Sequence, residues 1–203
     1  MNSLLEYAWI YADLGWRMLP TKKDKSPLIG SWRKECTAKK EKLEEGFEKR
    51  PHLGIGVACE ESNLFVLDLD VKNNKNGIIA LEQLEAENEP LPETLIADTA
   101  SGGKHYYFNR PEGGVQNSVD KIAVGIDVRC NGGYAVAPPS FSQTRSGYFW
   151  YDREPNEVAI ADVPEWLLGV ARNQVADVIS INRARQRRGG GWDGNTNIEE
   201  GER

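Results

Sequence analysis

Two aspartates at the end of one apolar stretch constrain this chain more than any other feature. The residues Leu64-Phe-Val-Leu-Asp-Leu-Asp70 predict a buried strand. Alternate side chains of a strand share one face, so Asp68 and Asp70 point to one side and the intervening apolar residues to the other. Two like charges that leave a buried strand side by side repel each other and lose hydration. We therefore expect a cation between them, and a divalent metal ion is the first candidate.

The rest of the chain fits one ordinary domain. Its 203 residues, 39% of them hydrophobic, are enough for a sizeable core. There is no apolar run of about 18 residues and no signal-peptide pattern, so we expect a soluble, cytoplasmic protein without a membrane partner. Cys36, Cys59 and Cys130 lie far apart and form no CxxC pair. This spacing argues against disulfide bonds and against a cysteine-based zinc site.

Charge is distributed unevenly along the chain. The net charge of −6 taken alone speaks against nucleic acid as a partner. From Arg17 to Arg50, however, eleven basic residues stand against six acidic ones. Candidates for contacts with a nucleic-acid template are Lys22, Lys23, Arg33 and Lys34. A solvated surface explains these residues equally well, so both interpretations stay open.

The order of the predicted elements favours a mixed-sheet α+β domain. Helices are predicted over residues 3–15, 37–50 and 78–87, with a closing helix from Pro164. Predicted strands cover residues 16–20, 53–58, 64–70, 94–99, 122–129, 134–139 and 147–151, and residues 101–108 are predicted to form a glycine turn that leads into an aromatic strand. Strands and helices do not alternate strictly, which is typical of α+β folds. We assign residues 1–174 to this domain, and residues 175–203, rich in Arg, Gly and Asn, to a linker and the start of a truncated downstream region.

Two further places put polar groups at a turn or on a strand. In Ser101-Gly-Gly-Lys-His105 the glycines allow backbone N–H groups to approach an anion. Asp127 and Arg129 share one face of another predicted strand. Three carboxylates could hold two Mg²⁺ or Mn²⁺ ions for phosphoryl transfer, and Lys104, His105, Arg129 and the glycine amides could hold a triphosphate.

Each of these signals has a simpler explanation when taken alone. An isolated Asp-x-Asp is common, and it is no EF-hand here, because the position that requires glycine is Asn73. A lone histidine after Gly-Gly is usually structural. The two histidines of the chain, His52 and His105, lie too far apart in the sequence to form an HExxH motif or the two-histidine motif of a nicking enzyme. Gly-Gly pairs are more often turns than phosphate-binding loops. The order and spacing of the signals together are specific.

Three segments taken together resemble a known family. Leu67-Asp-Leu-Asp70, Ser101-Gly-Gly-Lys-His-Tyr-Tyr-Phe108 and Gly125-Ile-Asp-Val-Arg129, the last followed by residues 133–140, are similar in this order to the three motifs of the archaeo-eukaryotic primase superfamily. The resemblance is closest to its primase-polymerase (prim-pol) branch, found in phage and plasmid replication proteins. Lys25-Ser-Pro with Trp32 also looks like the N-terminal element of that branch. The resemblance covers roughly residues 4–170.

The resemblance implies a fold and a set of roles. The fold would be the prim-pol fold, an RRM-like palm sheet joined to an N-terminal α/β unit, with the site in the cleft between them. Asp68, Asp70 and Asp127 match the family's metal-ligand positions. His105 matches its nucleotide-contacting histidine, and Ser101 and Arg129 fall where the family contacts the incoming nucleotide. The zinc-binding stem of some members is not expected, since cysteine pairs are missing.

The implied activity is a template-dependent DNA primase and polymerase that requires Mg²⁺ or Mn²⁺. It would use nucleoside triphosphates, dNTP or NTP, to make or extend primers on single-stranded DNA, in the cytoplasm of a bacterial or archaeal host of a phage or plasmid. Residues 198–203 resemble the opening of the Gly-x-Arg-Asn element that follows prim-pol domains in larger primase-helicase proteins. We therefore expect a truncated fragment that extends primers but initiates them poorly. Two alternatives stay open: a non-catalytic or regulatory nucleic-acid-binding arm of a replicative helicase, and a metal-dependent nuclease.

Overall fold

The computed structural model describes residues 4–47, 50, 53–141, 147–150 and 152–173. The helices are α1 (Leu4–Asp13), α2 (Trp32–Glu35), α3 (Lys40–Phe47), α4 (Gly77–Glu87) and α5 (residues 165–173). The strands are β1 (Met18–Thr21), β2 (Gly54–Ala58), β3 (Leu64–Leu69), β4 (Leu95–Asp98), β5 (Lys104–Asn109), β6 (Ser118–Ala123), β7 (Ile126–Arg129), β8 (Tyr134–Ala137), β9 (Phe149–Trp150) and β10 (Ala161–Asp162). The predicted mixed α+β fold is confirmed. The region predicted for residues 175–203 lies outside the described residues.

These strands form a large and a small sheet. The large sheet has the order β6-β7-β3-β5-β4-β9, and β10 pairs in parallel with the end of β5. The small sheet has the order β1-β2-β8 and is antiparallel. The strand that carries Asp68, β3, therefore lies in the interior of the large sheet, with paired neighbours on both sides.

Within the described part of the chain, no helix is both long and apolar enough to cross a bilayer.

Each face of the large sheet is covered by its own core. On one face, Phe65, Leu67 and Leu69 of β3 pack in a buried cluster with Leu81 of α4 and with Leu167 and Leu168 of α5. On the other face, Leu64 and Val66 of β3 share a buried cluster with residues of α1, β1 and β2. This alternation explains the continuous apolar run of β3, because both faces of the strand are buried. Asp68 follows Val66 on the second face, where the small sheet lies opposite.

A buried tyrosine connects α1 to both sheets. The hydroxyl of Tyr11 donates to the carbonyl of Pro138 at 2.6 Å and accepts from the indole N–H of Trp150 at 3.0 Å. Pro138 follows β8 of the small sheet, and Trp150 lies in β9 of the large sheet. Tyr11 is fully buried. One side chain therefore joins three elements that are far apart in the sequence.

Replacing Tyr11 by phenylalanine should lower the free energy of unfolding by about 1–3 kcal/mol, because the buried carbonyl of Pro138 and the partly buried indole N–H of Trp150 both lose their hydrogen bond. Urea denaturation of the two proteins measures this change. Tyr7→Phe is the matched control, since the Tyr7 hydroxyl bonds to Glu154 in a partly buried position. The free energy of unfolding should fall less in Tyr7→Phe than in Tyr11→Phe. An equal decrease in both variants would contradict the proposed role of Tyr11.

The strand predicted over residues 122–129 is wrong as a single element. The chain forms a hairpin instead, in which β6 and β7 are separated by a turn at Val124 and Gly125. Gly125 has φ +90°, a conformation that favours glycine and that interrupts a strand. Of the helix predicted over residues 37–50, the described residues 37–39 are not helical and α3 begins at Lys40. This helix buries Leu43 and Phe47 rather than lying wholly on the surface.

Candidate active site

Three predicted site residues form one row across the large sheet. Asp68 of β3 pairs with His105 of β5 on one side and with Asp127 of β7 on the other. Residues directly opposite on neighbouring strands point to the same face and lie side by side. His105 and Asp127 are buried, at 4% and 3% exposure. The Nε2 atom of His105 lies 3.3 Å from Oδ1 of Asp68, so strand pairing alone brings the three groups together.

Arg129 connects the two carboxylates of this row. Its Nη2 atom lies 2.7 Å from Oδ2 of Asp127 and 3.5 Å from Oδ2 of Asp68. Arg129 follows Asp127 by two residues on β7 and therefore points to the same face. The remaining oxygen of Asp127, Oδ1, accepts the backbone N–H of Asp120 at 3.0 Å. The sequence-based prediction that Asp127 and Arg129 are same-face neighbours is confirmed.

The surroundings shift the pKa values of the two carboxyls in opposite directions. Burial by itself would raise the pKa of Asp68, but the neighbouring His105, followed by Arg129 and Lys72, outweighs burial and lowers that pKa to about 2. Burial raises the pKa of Asp127, and the Asp120 amide and Arg129 only partly oppose it, while Asp68 and Asp70 add to it. Asp68 is therefore the firmly ionised member of the pair.

Asp70 lies just beyond the end of β3, where the turn between β6 and β7 and the first residue of α4 hold its backbone. Its N–H donates to the carbonyl of Gly125 at 2.8 Å, and its own carbonyl accepts from the N–H of Gly77, also at 2.8 Å. A Cβ atom at Gly77 would overlap the Gly125 carbonyl oxygen, so this close approach requires glycine. The carboxylate of Asp70 pairs with Lys72 at 2.8 Å. Local loop geometry thus sets the position of Asp70 relative to Asp68.

The turn before β5 uses its glycines differently from the prediction. The N–H groups of Gly102 and Gly103 donate to the carbonyl and the hydroxyl of Thr99, at 3.0 and 3.1 Å. These amides are therefore engaged within the turn, which corrects the expectation that they hold an anion. Gly102 supplies a φ of +85°, and Gly103 allows close contact with the carbonyl of Leu69. Ser101 lies with Thr99 at the cavity described below, their hydroxyl oxygens 3.3 Å apart.

Lys104 does not join the site. It precedes His105 on β5 and therefore points to the opposite face of the sheet. Its ammonium group lies 2.8 Å from the carboxylate of Asp98 at the end of β4. The predicted contact of Lys104 with a triphosphate is thus not supported by this arrangement, and the reason is the alternation of the strand.

A cavity of about 550 Å³ opens above the row, between the two sheets. Of the predicted residues, Asp68, Asp70, Ser101, His105 and Arg129 line it, and the buried Asp127 lies beside them in the row. The opposite wall is formed by basic and aromatic residues: Lys25, Trp32, Arg33 and Tyr134, with Tyr148 and Lys72 nearer the aspartates. A volume in this range is typical of small-molecule sites.

A family model for the N-terminal domain of bifunctional DNA primase/polymerases, named Prim-Pol, matches residues 8–166 of this chain. The chain belongs to the Prim-Pol family. Membership indicates DNA primase/polymerase activity and therefore a nucleotidyltransferase. A comparison with curated protein sequences gives no match. The matched range includes every predicted site residue, the loop between β1 and α2, and Arg33 of α2.

The loop between β1 and α2 completes the cavity of this Prim-Pol domain. The Tyr134 hydroxyl donates to the carbonyl of Lys25 at 2.9 Å, and the Lys25 ammonium lies 5.5 Å from the centre of the Tyr148 ring. Arg33 donates to the carbonyl of Gly132 at 2.7 Å. Lys22, Lys23 and Lys34 do not line the cavity. Sequence reasoning did not select Tyr134 or Tyr148, since the faces of β8 and of the segment before β9 depend on pairing that spacing does not reveal.

The predicted Mg²⁺ or Mn²⁺ ions fit this Prim-Pol site by donor type. Carboxylate oxygens are the ligands that such ions prefer, and Asp68 and Asp127 lie side by side. Among the residues that the structure describes, however, no three His, Cys, Asp or Glu side chains are gathered as a metal-binding group. Arg129 and Lys72 instead lie against the carboxylates. The chemistry of the donors suits a divalent ion, whereas their side chains are arranged around the protein's own cations.

Proposed function

We propose that this Prim-Pol domain is a template-dependent, metal-requiring DNA primase-polymerase, which makes or extends primers on single-stranded DNA from nucleoside triphosphates. The observation that carries the proposal is the row of His105, Asp68 and Asp127 beside a cavity with a basic and aromatic opposite wall. Negative groups for metal ions and positive groups for phosphates stand a few ångströms apart here. Nucleotidyl transfer needs this combination of charges.

The acidic residues have the metal-binding role in this proposal. Asp68, Asp70 and Asp127 would hold two Mg²⁺ or Mn²⁺ ions, which, when bound, supply activation of the primer hydroxyl and stabilisation of the leaving pyrophosphate. Because Asp68 and Asp127 lie on neighbouring paired strands, their backbone positions are already set before a ligand arrives. The rigid sheet thereby reduces the reorganisation that substrate binding requires.

The polar and basic residues of the cavity would bind the nucleotide. Arg129 and Lys72 lie next to the carboxylates and can neutralise a triphosphate. The ring of His105 packs 5.8 Å from that of Tyr148, which holds the histidine in place beside the cavity. Its Nδ1 atom is buried and has no hydrogen-bond partner among the described residues. Ser101 adds a hydroxyl at the rim.

The opposite wall would accept the nucleobase and the template. Trp32 and Tyr134 pack edge to face, with ring centres 5.1 Å apart. Aromatic surfaces of this kind bind bases by stacking without regard to sequence. Arg33 lies over the Trp32 ring at 5.4 Å and adds a positive charge for a phosphate backbone.

We extend the proposal to a cellular setting. The protein would act in phage or plasmid replication in the cytoplasm, and it would carry a C-terminal helicase region.

Incubation with labelled DNA tests the proposed function. We expect the chain to lengthen a primer on a single-stranded template when Mg²⁺ or Mn²⁺ and dNTPs or NTPs are supplied, and gel electrophoresis measures the product length. Unprimed template in a parallel reaction tests initiation. Shortening of the DNA without nucleotides would instead support a metal-dependent nuclease. Binding of DNA and nucleotide with no release of pyrophosphate would support a regulatory arm.

A further inference from the structure

Every carboxylate of the candidate site is already engaged by a basic side chain of the same chain. The Nη2 atom of Arg129 contacts both Asp127 and Asp68, at 2.7 and 3.5 Å. The ammonium group of Lys72 lies 2.8 Å from Asp70. The other oxygens of Asp127 and Asp68 face the Asp120 amide and His105. All four carboxylate oxygens of Asp68 and Asp127 therefore have partners within the protein.

These partners compete directly with a metal ion. A divalent cation needs the same oxygen atoms that Arg129 contacts, and it would place two further positive charges next to the guanidinium group. Asp68 and Asp127 are fixed by strand pairing and are largely buried, with side chains 16% and 5% exposed. The side chain of Arg129 is 28% exposed and lines the cavity. The arginine is thus the member of the cluster that can change partner without disturbing the sheet.

A triphosphate in the cavity would offer Arg129 such a partner. Guanidinium groups form charge-assisted hydrogen bonds with phosphate as readily as with carboxylate. Lys72 lines the same cavity and would have the same choice. When the two cations turn to phosphate, the oxygens that they contact, Oδ2 of Asp68 and Asp127 and Oδ1 of Asp70, become available to metal ions. Binding of the nucleotide and binding of the metal would then favour each other.

We propose that Arg129 is a tethered counter-ion, which occupies Asp68 and Asp127 until a nucleoside triphosphate draws it away and the metal can bind. This inference rests on the proposed function, because it takes a triphosphate and divalent ions as the ligands. It assigns Arg129 two successive partners, a carboxylate pair without substrate and a phosphate with substrate. A fixed role for Arg129, in which it only holds the two carboxylates in position for the metal, predicts an effect of opposite sign.

Titration with Mn²⁺ in the absence of nucleotide separates these two roles. The loss of the electron paramagnetic resonance signal of free Mn²⁺ measures binding. We expect Arg129→Gln to bind Mn²⁺ about tenfold more tightly than the wild type, because the competing charge is gone. Arg153→Gln removes the same charge from a surface pair with Glu93 and should leave the affinity unchanged. Unchanged or weaker binding by Arg129→Gln would overturn the proposal.

Two further measurements make the result secure. Adding Asp127→Asn to Arg129→Gln should cancel the gain in Mn²⁺ affinity, and a gain that persists would contradict binding at this carboxylate. In the wild type, which needs no substitution, Mg²⁺ should raise the affinity for a non-hydrolysable nucleotide analogue by about tenfold. Equal affinity with and without Mg²⁺ would also overturn the proposal.

The outcomes keep this proposal apart from the proposed function. If the wild type extends primers but Arg129→Gln does not tighten Mn²⁺ binding, the counter-ion role is wrong and the polymerase function stands. If Arg129→Gln tightens Mn²⁺ binding but the wild type incorporates no nucleotide, the polymerase function is wrong and the counter-ion role stands.

Discussion

Replacing Asp68 by asparagine should lower nucleotide incorporation on a primed template by about three orders of magnitude. Asp68 is the central residue of the row, with paired strands on both sides, so no neighbouring carboxylate can move into its place. The asparagine amide keeps the size of the side chain but removes its negative charge. The pKa of Asp68 is about 2, so the wild-type carboxylate carries this charge at neutral pH. Single-turnover primer extension at saturating nucleotide measures the change.

Asp98→Asn is the matched control for this experiment. Asp98 ends β4, and its carboxylate pairs with Lys104 outside the cavity. The same chemical change there should leave incorporation within about twofold of the wild type, as is usual for surface substitutions. Circular dichroism and thermal unfolding of both variants establish that the fold is retained. Wild-type rates for a folded Asp68→Asn protein would rule out a catalytic role of this carboxylate.

Part of this site follows directly from the residue pattern. Asp68 and Asp70 end an apolar strand. The apolar side chains of this strand can be buried only if the two carboxylates emerge together at one edge, and the structure places both at one cavity. The same period of two puts Arg129 beside Asp127 on β7. Local alternation is strong enough to predict such pairs, because a shift by one residue would bury the charges.

The register between strands does not follow from the pattern. Asp127 lies opposite Asp68 because a hairpin turns at Gly125 and brings β7 beside β3, whereas spacing predicted one uninterrupted strand over residues 122–129. The resemblance to a family supplied this juxtaposition, and alternation did not. Lys104 shows the converse case. It is next to His105 in the sequence, but its side chain lies on the other face of the sheet. Proximity in a motif is therefore no measure of proximity in the site.

The contribution of the N-terminal unit was the hardest part of the site to predict. Lys25 and Tyr148 meet across 123 positions of sequence, and their contact depends on how the small sheet packs on the large one. The aromatic residues of this wall have an equally good explanation as core residues when only the sequence is considered. Only tertiary packing decides between these roles, since a strand residue at the edge of a core can face either apolar side chains or a cavity.

Replacing Gly103 by alanine should lower the free energy of unfolding by about 3 kcal/mol and abolish nucleotide incorporation. A Cβ atom at this position would overlap the carbonyl oxygen of Leu69 and lie 3.1 Å from its carbonyl carbon. Both are backbone atoms of β3, so no side-chain rotation can relieve the overlap. The strands β3 and β5 must move apart at this point, one residue from Asp68 and two residues from its partner His105.

Gly46→Ala provides the control, because Gly46 lies in α3 and a Cβ placed there meets no described atom within 4 Å apart from its chain neighbours and the backbone of its own helix. Alanine favours the helix over glycine, so this variant should be equal to the wild type or more stable by up to about 1 kcal/mol, with unchanged incorporation. Urea denaturation gives the stabilities and primer extension the activities. If Gly103→Ala kept wild-type stability, the close approach of the turn to β3 would not constrain the site. If it lost stability but kept its rate per folded molecule, the spacing of Asp68 and His105 would not matter to catalysis.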